Sequence, residues 1–210
     1  MNVIEYIKKL FVLFFALNVY TVNAQDSIFY DDGTLRSISI EVNSNESKQI
    51  TFYKNGNKSA EETLKDGKLD GLCIYYFPEG SLKAKETWQN DILHGEATYY
   101  YENGQIDKTG VFDQGLYSGS WKHYHQNGNP ERIVNYVNGL PEGGWKVYNE
   151  KGVLIQEGQY VKGMEEGVWF FYTDKGQLEF KGEYKSGERV GNWYYYDKKG
   201  RETKLKPGEY

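Results

Sequence analysis

Three groups of side chains in this sequence could carry reaction chemistry, and each is short of the partners that chemistry would need. His123 and His125 stand at i and i+2, a spacing that puts two imidazoles on one face of a strand and could open a metal site. His94, the remaining histidine, falls in a different part of the sequence pattern, and no carboxylates can be placed beside the pair. No metal is therefore expected, and the two histidines are read as replacing aromatic residues. Glu165 and Glu166 lie near a turn, where a carboxylate is ordinarily solvated. Cys73 is the one cysteine; it has no partner for an internal disulfide and no visible activating neighbour, so it reads as a small buried apolar residue. The chain contains no His-Glu-x-x-His, no phosphate-binding Gly-rich loop with Lys-Ser/Thr, no Gly-x-Ser-x-Gly elbow and no Cys-x-x-Cys. Neither catalysis nor a cofactor is expected.

What does recur is aromatic. Tyr76, Tyr100, Tyr124, Tyr148, Tyr172 and Tyr196 follow one another at a constant pitch of 24 residues, as do Trp121, Trp145, Trp169 and Trp193, with Cys73 in the slot that the tryptophans fill later. Alternation along a strand assigns the tyrosines to one face and the tryptophans to the other. Such ladders can fill the spaces between hairpins, since a single sheet has few other ways to bury apolar area. Alternatively, part of one ladder stays exposed as a platform for sugar rings, choline-like cations or a protein edge. These ten residues form the candidate binding surface.

The elements that must position them follow from the glycines. Gly33, Gly56, Gly80, Gly104, Gly128, Gly152, Gly176 and Gly200 are spaced 23 residues once and 24 thereafter, a regularity that marks a repeat array of seven to eight units. An aromatic residue stands four positions before every one of them, from Phe29 to Tyr196. Each unit reads as a β-hairpin. In Trp169-Phe170-Phe171-Tyr172 the side chains alternate faces, and the returning strand sets Leu178, Phe180, Gly182 and Tyr184 against Glu179, Lys181 and Glu183. Turn glycines such as Gly104 and Gly128 answer a loop's need for positive φ, while Gly158, Gly182 and Gly191, inside strands, leave gaps for a neighbouring ring. The expected fold is all-β, an elongated antiparallel sheet of roughly sixteen strands and on the order of 75 Å long.

Residues 1–24 read as a secretory signal peptide: Lys8 and Lys9 precede the apolar run Leu10–Leu17, and Val22-Asn23-Ala24 offers a small-residue cleavage site. The run is shorter than the ~20 residues of a transmembrane helix, so export with cleavage near Ala24 is expected, to the periplasm, the cell surface or the medium. Residues 25–50 carry a degraded form of the pattern and read as an N-terminal capping repeat, with the array proper over 51–210. Lys204, Lys206 and Pro207 on the last strand discourage edge-to-edge pairing. A net charge of −5 with both signs interspersed provides no basic footprint for nucleic acid.

The string from Gly182 through Tyr184, Gly187 and Gly191 to Trp193, followed by the turn at Gly200, resembles a MORN repeat, and in particular the bacterial variant found in proteins labelled YwqK-type antitoxins. The resemblance covers most of residues 29–203. It implies stacked hairpins and a binding or scaffolding role rather than catalysis. The chain departs from the common pattern in its pitch and in carrying tryptophan where a second glycine is usual, and an acidic chain is repelled by an anionic membrane surface. Trp193-Tyr194-Tyr195-Tyr196 also resembles the Trp-Tyr-Tyr motifs of cell-wall-binding repeats, whose pitch is shorter. The expected function is an exported, non-enzymatic, protein-binding scaffold. The alternatives are an envelope polysaccharide-binding module and an antitoxin-like neutralising binder.

Overall fold

A computed structural model describes residues 24–206, so the signal-peptide reading, apart from Ala24 at its border, lies outside the described residues. The N-terminal half contains β1 (Ala24–Phe29), β2 (Leu35–Glu41), β3 (Glu46–Phe52), β4 (Lys58–Lys65), β5 (Lys68–Leu69), β6 (Gly71–Tyr76), β7 (Leu82–Gln89), β8 (Ile92–Tyr100) and β9 (Ile106–Asp113). The C-terminal half continues with β10 (Leu116–Tyr124), β11 (Pro130–Val137), β12 (Leu140–Pro141), β13 (Gly143–Tyr148), β14 (Leu154–Val161), β15 (Met164–Tyr172), β16 (Leu178–Lys185), β17 (Glu188–Tyr196) and β18 (Glu202–Lys204). All belong to one sheet in which each strand pairs antiparallel with its sequence neighbours. β5 and β6 are two pieces of one interrupted strand, both paired with β4, and β12 and β13 are likewise both paired with β11. The all-β array of stacked hairpins expected from the repeat is what the chain forms.

Two kinds of turn alternate along the two long edges. At Tyr101-Glu102-Asn103-Gly104 the Gly104 N–H donates to the Tyr101 carbonyl at 2.9 Å, and Gly104 sits at φ +83°, where a Cβ would be strained. At the other edge, two-residue loops such as Lys162-Gly163 have positive φ at both positions, the type I′ geometry that matches strand twist. Asp91 takes the second position of one such loop at φ +65°, which is why the glycine pattern lapses there without loss of the turn.

From β4 onward every second strand pairing is interrupted at the same place. In β14–β15 the register runs Glu157↔Phe170 and then Gln159↔Glu166, so Gly158 faces three residues, Gly167, Val168 and Trp169. The same break occurs between β9 and β10 and between β16 and β17. Gly167 and Gly191 supply the positive φ of this bulge, which bends the strand and turns the next side chain back over its neighbour. Gly191 is thus a bend and not the gap beneath a ring that its place in the strand suggests.

Candidate binding surface

The bulge decides where the tryptophans go. The Trp121 ring lies over Gly110, Trp169 over Gly158 and Trp193 over Gly182; an added Cβ at any of these glycines would fall inside the indole. All three rings are buried. Around Trp121 the face is closed by Phe112 at 5.0 Å and Tyr117 at 4.2 Å between ring centroids, with Ala97, Leu93, Tyr99 and Tyr136 packed alongside. This ring face is the core of the sheet.

The position eleven residues before each slot determines what the slot can hold. Glycine accepts tryptophan three times. Under Trp145 the position is Val134, itself buried, and Trp145 remains only half-buried. Before Cys73 and Ala97 stand Glu62 and Glu86, and there the slot residue is small and fully covered. Glu86 accepts a hydrogen bond from Trp88 Nε1 at 3.2 Å, while burial raises the Glu62 carboxyl and, with the neighbouring carboxylates, the Cys73 thiol. Cys73 is therefore an inert core residue, as its type suggests. The eleven-residue pairing of bulk with space is legible in the sequence once looked for, but a single-strand reading misses it because the partners sit on different hairpins.

Cations of the chain itself cover the rings. Lys108 Nζ lies 4.7 Å from the Tyr99 centroid, 5.5 Å from Tyr117 and 5.9 Å from Trp121, and it donates to Tyr117 Oη at 2.9 Å. Arg132 lies 5.9 Å from the Trp145 centroid and Arg189 4.5 Å from that of Trp193. The cage that a choline-like cation would enter at Trp121 is occupied by Lys108.

The tyrosine ladder lies on the opposite, open face. Tyr76, Tyr100, Tyr124, Tyr148, Tyr172 and Tyr196 are each half-buried. Three are fixed by carboxylates: Tyr76 donates to Glu61 at 2.7 Å, Tyr172 to Glu157 at 2.6 Å and Tyr196 to Glu202 at 2.6 Å. Burial, and then these bonds, push the Tyr76 and Tyr172 phenols up to about 12. Beside the ladder, on the same face, Leu72, Val111, Ile133 and Val168 are exposed.

The histidines do not come together. His123 occupies the ring-face slot of Tyr75, Tyr99 and Phe171 and is buried, with no hydrogen-bond partner at Nε2; burial, then Arg132 and Lys108, pull its pKa down to about 4. His125 lies beyond the end of β10, and its Nε2 sits 2.8 Å from the Tyr148 carbonyl of the next hairpin. It repeats a stitch made by Tyr30 to Phe52, Tyr53 to Tyr76 and Tyr101 to Tyr124, each hydroxyl donating to a carbonyl at 2.7–2.8 Å. Among the described residues no three His, Cys, Asp or Glu side chains gather as a metal set. The turn carboxylates are engaged as well as solvated. Glu166 accepts from the Ser186 N–H of the next turn at 2.8 Å, and Glu165 accepts from Tyr160 at 3.2 Å.

Five consecutive segments, residues 69–90, 93–114, 117–138, 141–162 and 165–186, match the MORN repeat variant, and together they make up just over half of the chain. The chain belongs to the MORN repeat variant family. MORN repeat proteins bind other molecules, and the hairpin geometry of the family continues here beyond the matched segments at both ends. No curated protein matches the chain. Among solved structures it is similar to TarM at 14% identity and a TM-score of 0.32, over 55% of this chain and 24% of that one. It is also similar to the TcdB2-TccC3-Cdc42 complex at 12% identity and a TM-score of 0.25, over 86% of this chain and 12% of that one. The Photorhabdus luminescens Tc holotoxin pore gives 13% identity and 0.25, over 82% and 12%. The chain spans less than a quarter of each. Among the described residues no helix is long and apolar enough to cross a membrane.

Proposed function

We propose that the protein is exported and acts, without catalysis, as a scaffold that binds another protein along the open face of its sheet. The observation that carries this reading is the difference between the two faces. Trp121, Trp169 and Trp193 are buried and roofed by neighbouring rings and cations, whereas the open face leaves Leu72, Val111, Ile133 and Val168 exposed beside a half-buried tyrosine ladder. Apolar residues set among phenols and carboxylates suit a protein client better than a sugar, which stacks on broad uncovered rings. Export rests on Lys8, Lys9, the run Leu10–Leu17 and the small residues before Gln25.

The test is crosslinking affinity capture of the tagged full-length protein from its own cells, with the N-terminus of the captured chain read in the same sample. A stoichiometric protein partner, a chain starting at Gln25, and loss of capture in Ile133→Glu/Val168→Glu are expected. Capture that ignores those substitutions, or a chain that keeps residues 1–24, overturns the reading. Polysaccharide in place of protein transfers the function to the tyrosine ladder as a glycan module. A client whose toxic activity falls on binding makes the protein an antitoxin-like neutralising binder.

A further inference from the structure

Along the edge formed by the type I′ turns, the first residue after each turn recurs at a pitch of 24: Lys68, Ile92, Leu116, Leu140, Met164 and Glu188. The four apolar members are 42%, 51%, 50% and 43% exposed. The turn pairs Val137↔Leu140 and Val161↔Met164 add two more exposed aliphatic residues, Val137 at 50% and Val161 at 38%. These side chains form a continuous ridge. Each rung rests on the glycine of the next turn, with Leu116 beneath Gly139, Leu140 beneath Gly163 and Met164 beneath Gly187. Six aliphatic side chains left about half exposed make a patch on the order of 400 Å², the scale at which a monomer's apolar patches are functional. The core does not account for them, since all six lie outside the buried set and charged residues would serve a solvated turn edge better.

The ridge is bounded by opposite charges. Lys68 closes it at one end and Glu188 at the other, and both are exposed. A row reading cation, four apolar residues, anion is complementary to itself when reversed. With a two-fold axis between the levels of Leu116 and Leu140, Leu116 meets the second copy's Leu140, Ile92 meets Met164, and Lys68 meets Glu188 at both ends. In the flanking row, Asp113 meets Val137, Gln89 meets Val161, and Lys65 meets Lys185. The flanking row contributes no apolar pair and no ion pair, and its Lys65–Lys185 juxtaposition is repulsive, so both the apolar contact and the charge selectivity come from the first row.

We propose that this ridge is a self-association surface through which two copies of the chain pair antiparallel, edge to edge, about that two-fold axis. The buried area on the order of 800 Å² lies below that of a standard stable complex, so the dimer is reversible, with association in the high-micromolar range and reachable where chains are concentrated. The inference does not depend on the client reading, and purified protein alone tests it.

The experiment is sedimentation equilibrium of the mature protein from about 5 µM to about 1 mM at low salt, spanning the range in which such small interfaces associate. A monomer–dimer equilibrium is expected. Leu116→Glu/Leu140→Glu should raise its midpoint more than tenfold while circular dichroism and tryptophan emission stay unchanged, because both positions are solvent-facing. Lys68→Glu sets two carboxylates face to face at each end and Glu188→Lys two ammonium groups, so each single change weakens association several-fold. The double variant Lys68→Glu/Glu188→Lys should restore the wild-type midpoint within about twofold, since reversing both partners recreates the exposed ion pairs. A monomer throughout the range overturns the proposal, as does a dimer indifferent to the ridge substitutions. So does a charge-swapped double variant no better than its singles, which would exclude the antiparallel register.

Discussion

Replacing Gly158 with valine should impose on Trp169 the condition that Val134 imposes on Trp145. In the folded chain the Trp169 indole lies flat on the Gly158 backbone and is buried, while Trp145, with a branched side chain in the equivalent place, is only half-buried beneath Arg132. A buried tryptophan removes about 150–250 Å² from water. Losing about a third of that at ~25 cal/mol/Å² costs about 1.5 kcal/mol, and wedging two methyl groups between strand and ring adds about 1–2 kcal/mol of strain. The expected destabilisation is therefore about 3 kcal/mol. Urea unfolding measures it, with a red-shifted native tryptophan emission as the local signature. The stronger test is a cycle of Gly158→Glu, Trp169→Ala and the two together, because the double variant rebuilds the pair that Glu86 and Ala97 already form. The double variant should be more stable than the sum of the single losses predicts, by at least about 1 kcal/mol of coupling. Strict additivity, or a Gly158→Val protein with unchanged stability and emission, refutes the slot argument. The converse change, Val134→Gly, should let Trp145 settle and shift its emission to the blue.

Three further outcomes follow from the same geometry. Burial together with Arg132 and Lys108 holds the His123 imidazole at about 4, below its ordinary 6.5, so between those values the unfolded chain binds a proton that the folded chain does not. Stability should fall as pH drops through that window, by roughly 1.4 kcal/mol per unit from this group, and His123→Phe should remove that component from denaturation curves compared across pH 4–7. The Tyr172 phenol, held up to about 12 by burial and by its bond to Glu157, should titrate back toward an ordinary tyrosine value in Glu157→Gln, read by ultraviolet absorbance at high pH. Tyr101→Phe deletes the hydroxyl that donates to the Tyr124 carbonyl and should cost about 1 kcal/mol in thermal or chemical unfolding, with no change in secondary structure because Phe77 already fills the same slot without a hydroxyl.

The hairpins were legible because their causes are local. Turn glycines at a fixed pitch mark where positive φ is required, and alternation in segments such as Trp169–Tyr172 separates two faces. What alternation does not carry is which face is roofed. Trp169 is covered because the bulge at Gly167 turns it onto a glycine of another hairpin, and Lys108 of β9 enters an aromatic cage assembled from the two strands that flank it, β8 and β10. His125 misled for a related reason. Its i+2 spacing from His123 suggests a shared face, but His125 falls beyond the end of β10, in the turn closed by its own N–H to the Asn129 carbonyl, and its ring reaches along the turn edge to the next carbonyl. Gly191 looked like the other strand glycines until its φ of +64° separated a bend from a gap. In each case the missing information lies in the relation between repeats, not within one.

That relation also constrains how such a chain can change its length. The two halves of each slot belong to successive repeats, so a repeat is not a free-standing module but carries the floor for its successor and the lid for its predecessor. Copying a unit that begins with Trp145 or Trp169, and so carries Gly158 or Gly182 as its floor, sets an indole on a glycine again, and the seam is silent. Joining the unit that begins with Trp121 directly to the one that carries Glu86 would press an indole onto a carboxylate, unless the floor or the lid at that seam changed with it. The order of the repeats is thus inherited information in its own right: the array can be lengthened by duplication toward its C-terminal end, but its units cannot be shuffled without a matching change at the seam.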